Sequence, residues 1–377
     1  MSRIRNLIIA LAAFAYTLPY RPIREVAHLR SIVVFQSAKM GDMVCTTPVF
    51  RAIKAHYPNA RVIVVGIGNI NGALLAGSPD VDRYIESGSF IKTVRALRRE
   101  QPQAAVVVGP DVFAGACAIL SGAQTVVLAA VVGQTAYMTR PYQLLLPRTV
   151  STPHYMHEYA PREYLRVLEP LGIVVSDTQK HLAVDATATA SVRTRFAALT
   201  KSARPVIGII PSAGHQVKAW PVDRFALVAE HCAKQYQATI VVIGGAPDRK
   251  RTEAFIAMLS PQVSVVDTVG QLSIEELKAL IAHLTLVVAP DTGAIYIAEA
   301  LGIPTVDIVG PVDEREQPPI GPIHEVVVPP RIRPELFVMD ARSYNMAEVT
   351  RQLMATTVPM VTEAVDRLLA KNTSTYE

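Results

Sequence analysis

From Ser31 onward, short apolar runs alternate with amphipathic stretches. Ser31–Gln36 (SIVVFQ) predicts a strand buried on both faces, residues 43–56 a helix, and Arg61–Gly66 (RVIVVG) the next strand. Residues 82–85 and 104–108 continue the series, and 125–130 close it. Val- and Ile-rich runs separated by helices predict a parallel sheet covered on both faces. The rhythm breaks between about residues 151 and 204, where a helical stretch (157–168) precedes a polar Ala/Thr-rich piece (185–193). The connection between domains is therefore expected near 175–203. A second series follows, with strands at 205–210, 239–243, 284–289 and 305–309. Its helices are expected at 222–235, 249–259 and 294–301, with Gly302 stopping the last. Ser273-Ile274-Glu275-Glu276 reads as a capping box opening one more helix.

The expected class is α/β: two Rossmann-like, doubly wound parallel-sheet domains at residues 31–175 and 204–345. Residues 1–30 form an apolar, basic extension. Residues 346–377 carry a last helix, expected to pack back on the N-terminal domain. In such domains ligands meet the carboxyl ends of the strands.

The length of 377 residues fits two domains. Half the residues are hydrophobic and 18% are charged, which excludes a disordered chain. Lys plus Arg number 37 against 32 Asp plus Glu. A net charge of +5 suits an anionic small molecule or a membrane surface and is too small to argue for nucleic acid. Cys45, Cys117 and Cys232 form no CxxC, so a reducing, cytoplasmic compartment is expected. The nine histidines show no HxH or HExxH, so no metal site is expected.

Arg3 and Arg5 precede an apolar run, residues 7–18, followed by Pro19, Arg21 and Arg24. Twelve helical residues rise about 18 Å, short of the roughly 30 Å hydrocarbon core. Three readings stay open: a helix lying at the membrane interface, which the flanking arginines favour; a helix packed on the first domain; and a signal peptide ending near Ala13-Phe14-Ala15.

Four strand-to-helix junctions carry chemistry. In Ser37-Ala38-Lys39-Met40-Gly41-Asp42, Asp42 falls near a helix N-terminus and reads either as a general base for a hydroxyl or as a plain cap. In the run from Pro211 to Pro221, small residues and Lys218 suit phosphate; a solvated loop lysine is the alternative. In Ala289-Pro290-Asp291-Thr292-Gly293, the amides of Thr292 and Gly293 suit a second phosphate. Asp291 there is expected to bond loop amides or a sugar hydroxyl, or to cap the helix. Asp248, after Gly244-Gly245, suits a ribose or caps a helix. Asp80-Val81-Asp82 matches the DxD of metal-dependent sugar transferases but sits in a Ser-Pro turn away from these loops, and is discounted.

In this order the junctions resemble glycosyltransferase family 9, the ADP-heptose:lipopolysaccharide heptosyltransferases. The resemblance runs from about Ser31 to Pro319 and is strongest in SAKMGDMVCTTPVFRAIKAHYPNARV, PSAGHQVKAWPVDRFA and VVAPDTGAIYIAEALGIPTVDIVGPVD. It implies a GT-B architecture, two Rossmann-like domains facing a cleft, with the acceptor on the first and the nucleotide-sugar donor on the second. It also implies an inverting transfer that needs no metal or other cofactor. By motif match Asp42 is the base, and Lys218 holds the pyrophosphate with Ser212 and the amides of Thr292 and Gly293. Asp248 faces the ribose and Gly270 lines the adenine. Tyr296 stands where the family usually has His, which bears on the donor contacts of Asp291 and its neighbours. Lys39 is a charged addition suited to an acceptor phosphate. The implied partners are an ADP-sugar donor, most simply ADP-heptose, and a lipid-linked or lipopolysaccharide-core glycan acceptor, with peripheral contact to the inner membrane. Two other readings remain: the same fold with a UDP- or GDP-sugar, and a non-catalytic sugar-nucleotide or glycan binder.

Overall fold

A computed structural model describes residues 2–17, 28–133, 138–338 and 344–373. The chain forms two compact units, Met1–His181 and Leu182–Glu377.

The first unit holds the strands β1 (Ser31–Gln36), β2 (Arg61–Gly66), β3 (Arg83–Glu86), β4 (Ala104–Val107), β5 (Thr125–Val131) and β6 (Val150–His154). All six pair in parallel in the order β3-β2-β1-β4-β5-β6. The order reverses beside β1, so the crevice between the carboxyl ends of β1 and β4 is the switch point where such sheets bind ligands. The helices are α1 (Ser2–Tyr16), α2 (Met40–His56), α3 (Gly68–Leu75), α4 (Phe90–Glu100), α5 (Val112–Leu120), α6 (Arg140–Gln143) and α7 (Ala160–Leu165). Residues 31–36 register against 61–66, and 32–35 against 104–107, and the inward side chains Val33, Phe35, Ile63, Val65, Ala105 and Val107 meet α5 in one core. Helix α1 joins that core through Ile9, Ala10 and Ala13. It is therefore a packed helix of the first unit. Pro19, Arg21 and Arg24 lie outside the described residues.

The second unit repeats the plan. Strands β7 (Val206–Ile209), β8 (Thr239–Val242), β9 (Val265–Asp267), β10 (Leu286–Pro290), β11 (Thr305–Ile308) and β12 (His324–Val327) form a parallel sheet ordered β12-β11-β10-β7-β8-β9. Its switch point lies between β7 and β10. Helices α8 (Ala186–Arg195), α9 (Ala197–Thr200), α10 (Val222–Tyr236), α11 (Arg249–Ile256), α12 (Ile274–Ile281), α13 (Gly293–Ala300), α14 (Met346–Ala355) and α15 (Val358–Thr373) complete it. The capping box at Ser273 is present, with its hydroxyl accepting from the Glu276 amide at 3.1 Å.

The boundary between the units, after His181, falls within the connection expected at 175–203, and α8 already belongs to the second unit, packing on α12 with Ser191 donating to Glu276 at 2.7 Å. One expectation is corrected: the C-terminal segment, expected on the N-terminal domain, packs on the second unit. It forms two helices, and Val361, Ala364, Val365 and Leu368 of α15 sit in the second unit's own core, against α10, β11 and β12. Strands β6, β9 and β12, all outer members of their sheets or close to them, were not expected as strands.

Candidate functional site

The loop after β1 carries Asp42 in the first turn of α2. Lys39 is the N-cap residue, is exposed and makes no side-chain cap bond, so Asp42 is not the cap. The loop is held from below by Gln36, the last residue of β1. Its Oε1 accepts from the Ala38 amide at 3.1 Å, and its Nε2 donates to Thr46 Oγ1 at 2.7 Å. Thr46 in turn donates to the Asp42 carbonyl at 2.7 Å. With Gln36 and Thr46 both buried, the backbone under Asp42 is fixed before any substrate arrives. The carboxylate Oδ1 of Asp42 accepts from the Tyr164 hydroxyl of α7 at 3.3 Å. Tyr164 stacks on His154 at the end of β6, with centroids 6.2 Å apart. Burial holds the His154 imidazole below its ordinary value, Glu163 pulls the other way, and Nδ1 has no hydrogen-bond partner. Tyr164 and Gln36 were not expected in the site; Tyr164 lies 122 residues from Asp42, and no local spacing points to it.

In the second unit the candidate donor residues fall on loops after four neighbouring strands, in the order β10, β7, β8 and β9. The loop after β7 contains a short 3-10 turn, Gln216–Lys218. Arg251 of α11 bridges its two ends, donating to the Pro211 carbonyl at 2.5 Å and to that of Trp220. Burial lowers the Arg251 guanidinium from its ordinary value. Trp220 is fully buried and donates to the Thr356 carbonyl at 3.0 Å, so the turn that follows α14 anchors the same loop. Ser212 is buried at its start.

Across the switch point, Lys218 Nζ meets Asp291 Oδ2 at 2.5 Å, and Tyr296 of α13 donates its hydroxyl to Oδ1 of the same carboxylate. Lys218 is 26% exposed and Asp291 7%, so the lysine keeps an accessible edge while its counterion is enclosed. Asp291 was expected to bond loop amides or a sugar hydroxyl, or to cap α13; its carboxylate pairs with Lys218 and Tyr296, and Thr292 is the N-cap residue. Tyr296, expected as a donor contact, is buried and supports Asp291. Thr292 is the N-cap residue of α13 without a side-chain cap bond. The first amides of a helix lack intrahelical partners, so Thr292 and Gly293 sit at a pole suited to anionic oxygen.

Asp248 Oδ2 accepts from the Gly245 amide at 2.8 Å, which makes it a brace of its own turn, the role weighed against a ribose contact. Gly270 follows β9 at φ +69°, donates its amide to the Gly244 carbonyl at 2.9 Å, and leaves only 3.1 Å between a Cβ and Ala246 Cα. The two loops expected at the nucleoside thus touch each other, and any side chain at 270 would be strained. Asp82 of the discounted DxD accepts from the Val62 amide and from Lys54, both at 2.7 Å, inside the first unit's framework.

A family model for glycosyltransferase family 9 (heptosyltransferase) matches residues 91–336. The chain belongs to this family. Every donor-side residue named above lies inside that stretch, and Asp42 and Lys39 lie ahead of it. The chain is 23% identical over 359 residues to the lipooligosaccharide heptosyltransferase 2 of Haemophilus influenzae, covering 90% of this chain and all of that one. A glycosyltransferase family 9 structure from Veillonella parvula matches with a TM-score of 0.76 at 18% identity, over 92% of this chain and 99% of the other. The Escherichia coli ADP-heptose lps heptosyltransferase II matches with a TM-score of 0.71 at 20% identity, over 91% and 99%. The two parallel sheets are accordingly those of the GT-B fold, and the family 9 chain is a glycosyltransferase.

Proposed function

We propose that this glycosyltransferase moves a heptose from ADP-heptose, with inversion and without a metal ion, onto a lipopolysaccharide-core or related lipid-linked glycan. The observation that carries the reading is Lys218 held on Asp291 at the second unit's switch point, beside the N-terminus of α13. That is a fixed cation and a helix pole where a diphosphate would leave. The names of the Haemophilus and Escherichia relatives support the sugar and the acceptor class.

An acceptor hydroxyl attacks the anomeric carbon opposite the nucleotide. The new C–O bond forms as the bond to the β-phosphate oxygen breaks, and that oxygen keeps the electron pair. Asp42 takes the hydroxyl proton, its carboxylate oriented by Tyr164 on a loop pinned by Gln36. Lys218 and the amides at Thr292 and Gly293 carry the charge growing on ADP, so the assigned stabilisation needs no divalent ion. A lipid-linked acceptor places the enzyme at the cytoplasmic membrane face.

The departure at Tyr296 motivates the second reading, a UDP- or GDP-sugar donor. With its hydroxyl bonded to Asp291, Tyr296 has a task other than choosing the base of the nucleotide. A panel of ADP-, UDP- and GDP-sugars, with and without EDTA and scored for product on a heptosylated core acceptor, tests the proposal. Transfer from ADP-heptose that survives EDTA is expected; turnover only with UDP- or GDP-sugars, or only with added metal, refutes it.

A further inference from the structure

Helix α1 has two apolar faces and uses one. Ile9, Ala10 and Ala13 pack on α5 in the first core. On the other side Ile4, Ile8, Leu11 and Leu7 are 69%, 62%, 50% and 42% exposed. At about 100° per residue, positions 4, 7, 8, 11 and 15 fall on one arc of roughly 100°, opposite the buried arc. Scattered exposed leucines are ordinary, whereas a continuous stripe of four large side chains marks a contact surface.

The charge around the stripe selects the partner. The fifteen residues of α1 contain Arg3 and Arg5 and no acidic residue. Arg98 of α4 lies over the Tyr16 ring at 5.5 Å, and Arg148 lies over Phe14 at 4.9 Å. Helix α4, which also packs on α5, exposes Lys92, Arg95 and Arg99, and its one acid, Glu100, is buried and held by Arg61 at 2.9 Å and by Arg83. A second copy laid symmetrically on this stripe would set cations against cations. An anionic bilayer offers both an apolar interior and opposite charge. At 15 residues α1 is about 22 Å long, too short to span, and no described helix is long and apolar enough to cross a membrane. Its inner face is part of the core, so it stays in place and lies flat.

We propose that the outer stripe of α1, with its arginine rim, is the surface by which this enzyme docks on anionic phospholipid. The inference supplies the membrane contact that a lipid-linked acceptor calls for, and it rests on the proposed function only in that respect, because the docking is measured without substrate. The test is flotation of the full chain with vesicles of phosphatidylcholine alone and of phosphatidylcholine with phosphatidylglycerol. The wild type should float with the anionic vesicles and lose them as salt rises. Ile8→Ser with Leu11→Ser, both on exposed positions, should lower the bound fraction about tenfold or more. Arg3→Gln with Arg5→Gln should weaken binding to anionic vesicles alone. Both variants should keep the wild-type melting temperature and the wild-type rate on a water-soluble acceptor fragment. Equal flotation of wild type and the Ile8/Leu11 variant overturns the inference. So does a dimer, seen by light scattering, that the variant dissolves while vesicle binding is unchanged. Absence of transfer from ADP-heptose to the soluble fragment would refute the function and leave the docking result standing.

Discussion

Asp291→Asn is expected to tighten ADP while weakening the fold, an opposition that follows from where Asp291 sits. Its carboxylate is the counterion of Lys218, 2.5 Å from Nζ. A phosphate oxygen reaching the exposed edge of that ammonium, at about 2.8 Å, would lie roughly 5 Å from the carboxylate. Two like charges at that distance repel by about 0.8 kcal/mol at the dielectric of water and by about 3 kcal/mol at an effective value near 20. The lysine is partly exposed, so about 1 kcal/mol, or roughly fivefold in affinity, is the expected gain on neutralising position 291. The same change removes a charge-assisted bond from an enclosed group that also receives the Tyr296 hydroxyl. Hydrogen bonds to charged groups contribute about 1.5–3 kcal/mol, which in a unit of this size lowers the melting temperature by about 3–12 °C. Lys218→Ala should cost a comparable amount of stability and weaken ADP by about tenfold or more. In Lys218→Ala with Asp291→Asn the stability loss should fall short of the sum of the two single losses, because the pair is broken only once. Calorimetric titration with ADP and thermal unfolding of the four proteins measure both quantities. Additive stability losses, or an Asp291→Asn variant that binds ADP more weakly than wild type, would refute the assigned coupling.

Asp42→Asn should lower kcat by about 10²–10⁴-fold with the ADP dissociation constant unchanged, and Tyr164→Phe should lower kcat severalfold in the same pattern; steady-state rates with calorimetry check both. His154, neutral through burial, binds fewer protons folded than unfolded below its ordinary value of 6.5. Its stabilising contribution is full above that pH and is lost as pH falls through the lowered folded value. Replacement by Gln should therefore flatten the acid side of the first unit's melting-temperature profile, while a transition in the second unit, where burial also lowers His283, keeps its slope. Gly270→Ala puts a side chain at φ +69° and 3.1 Å from Ala246 Cα, which should cost about 1–3 kcal/mol by denaturant unfolding and weaken ADP as well.

The central strands were legible because burial on both faces leaves unbroken Val/Ile runs, as in SIVVFQ and RVIVVG. Of the outer strands β3 was legible, whereas β6, β9 and β12 were not, since one side of an outer strand can carry polar residues or proline. Strand β6 contains Pro153, tolerated because β6 pairs only with β5. Strand β12 begins His324-Glu325, and β9 is three half-buried residues. Helix boundaries failed where the backbone, and not the side-chain period, decides. His157 at φ +63° delays α7 until Ala160, and the extended Thr356 ends α14 before Pro359 enters the first turn of α15, which divides the C-terminal segment.

The site shows the same division. The loops that carry Asp42, Lys218 and Asp291 were found because each follows a buried strand and opens a helix, a local property. Their bonding was not local. Lys218 and Asp291 are 73 residues apart, and they meet because the chain reverses its strand order between β7 and β10, so that loops distant in sequence become neighbours at the switch point. Arg251, which ties both ends of the lysine loop, comes from the next βα unit, because β8 lies beside β7 in the sheet. A residue's type and local position named the chemistry, and topology chose its partner. That explains why Asp291, legible only as an acid at the end of a buried strand, takes Lys218 as its partner: its carboxylate holds the lysine at the switch point.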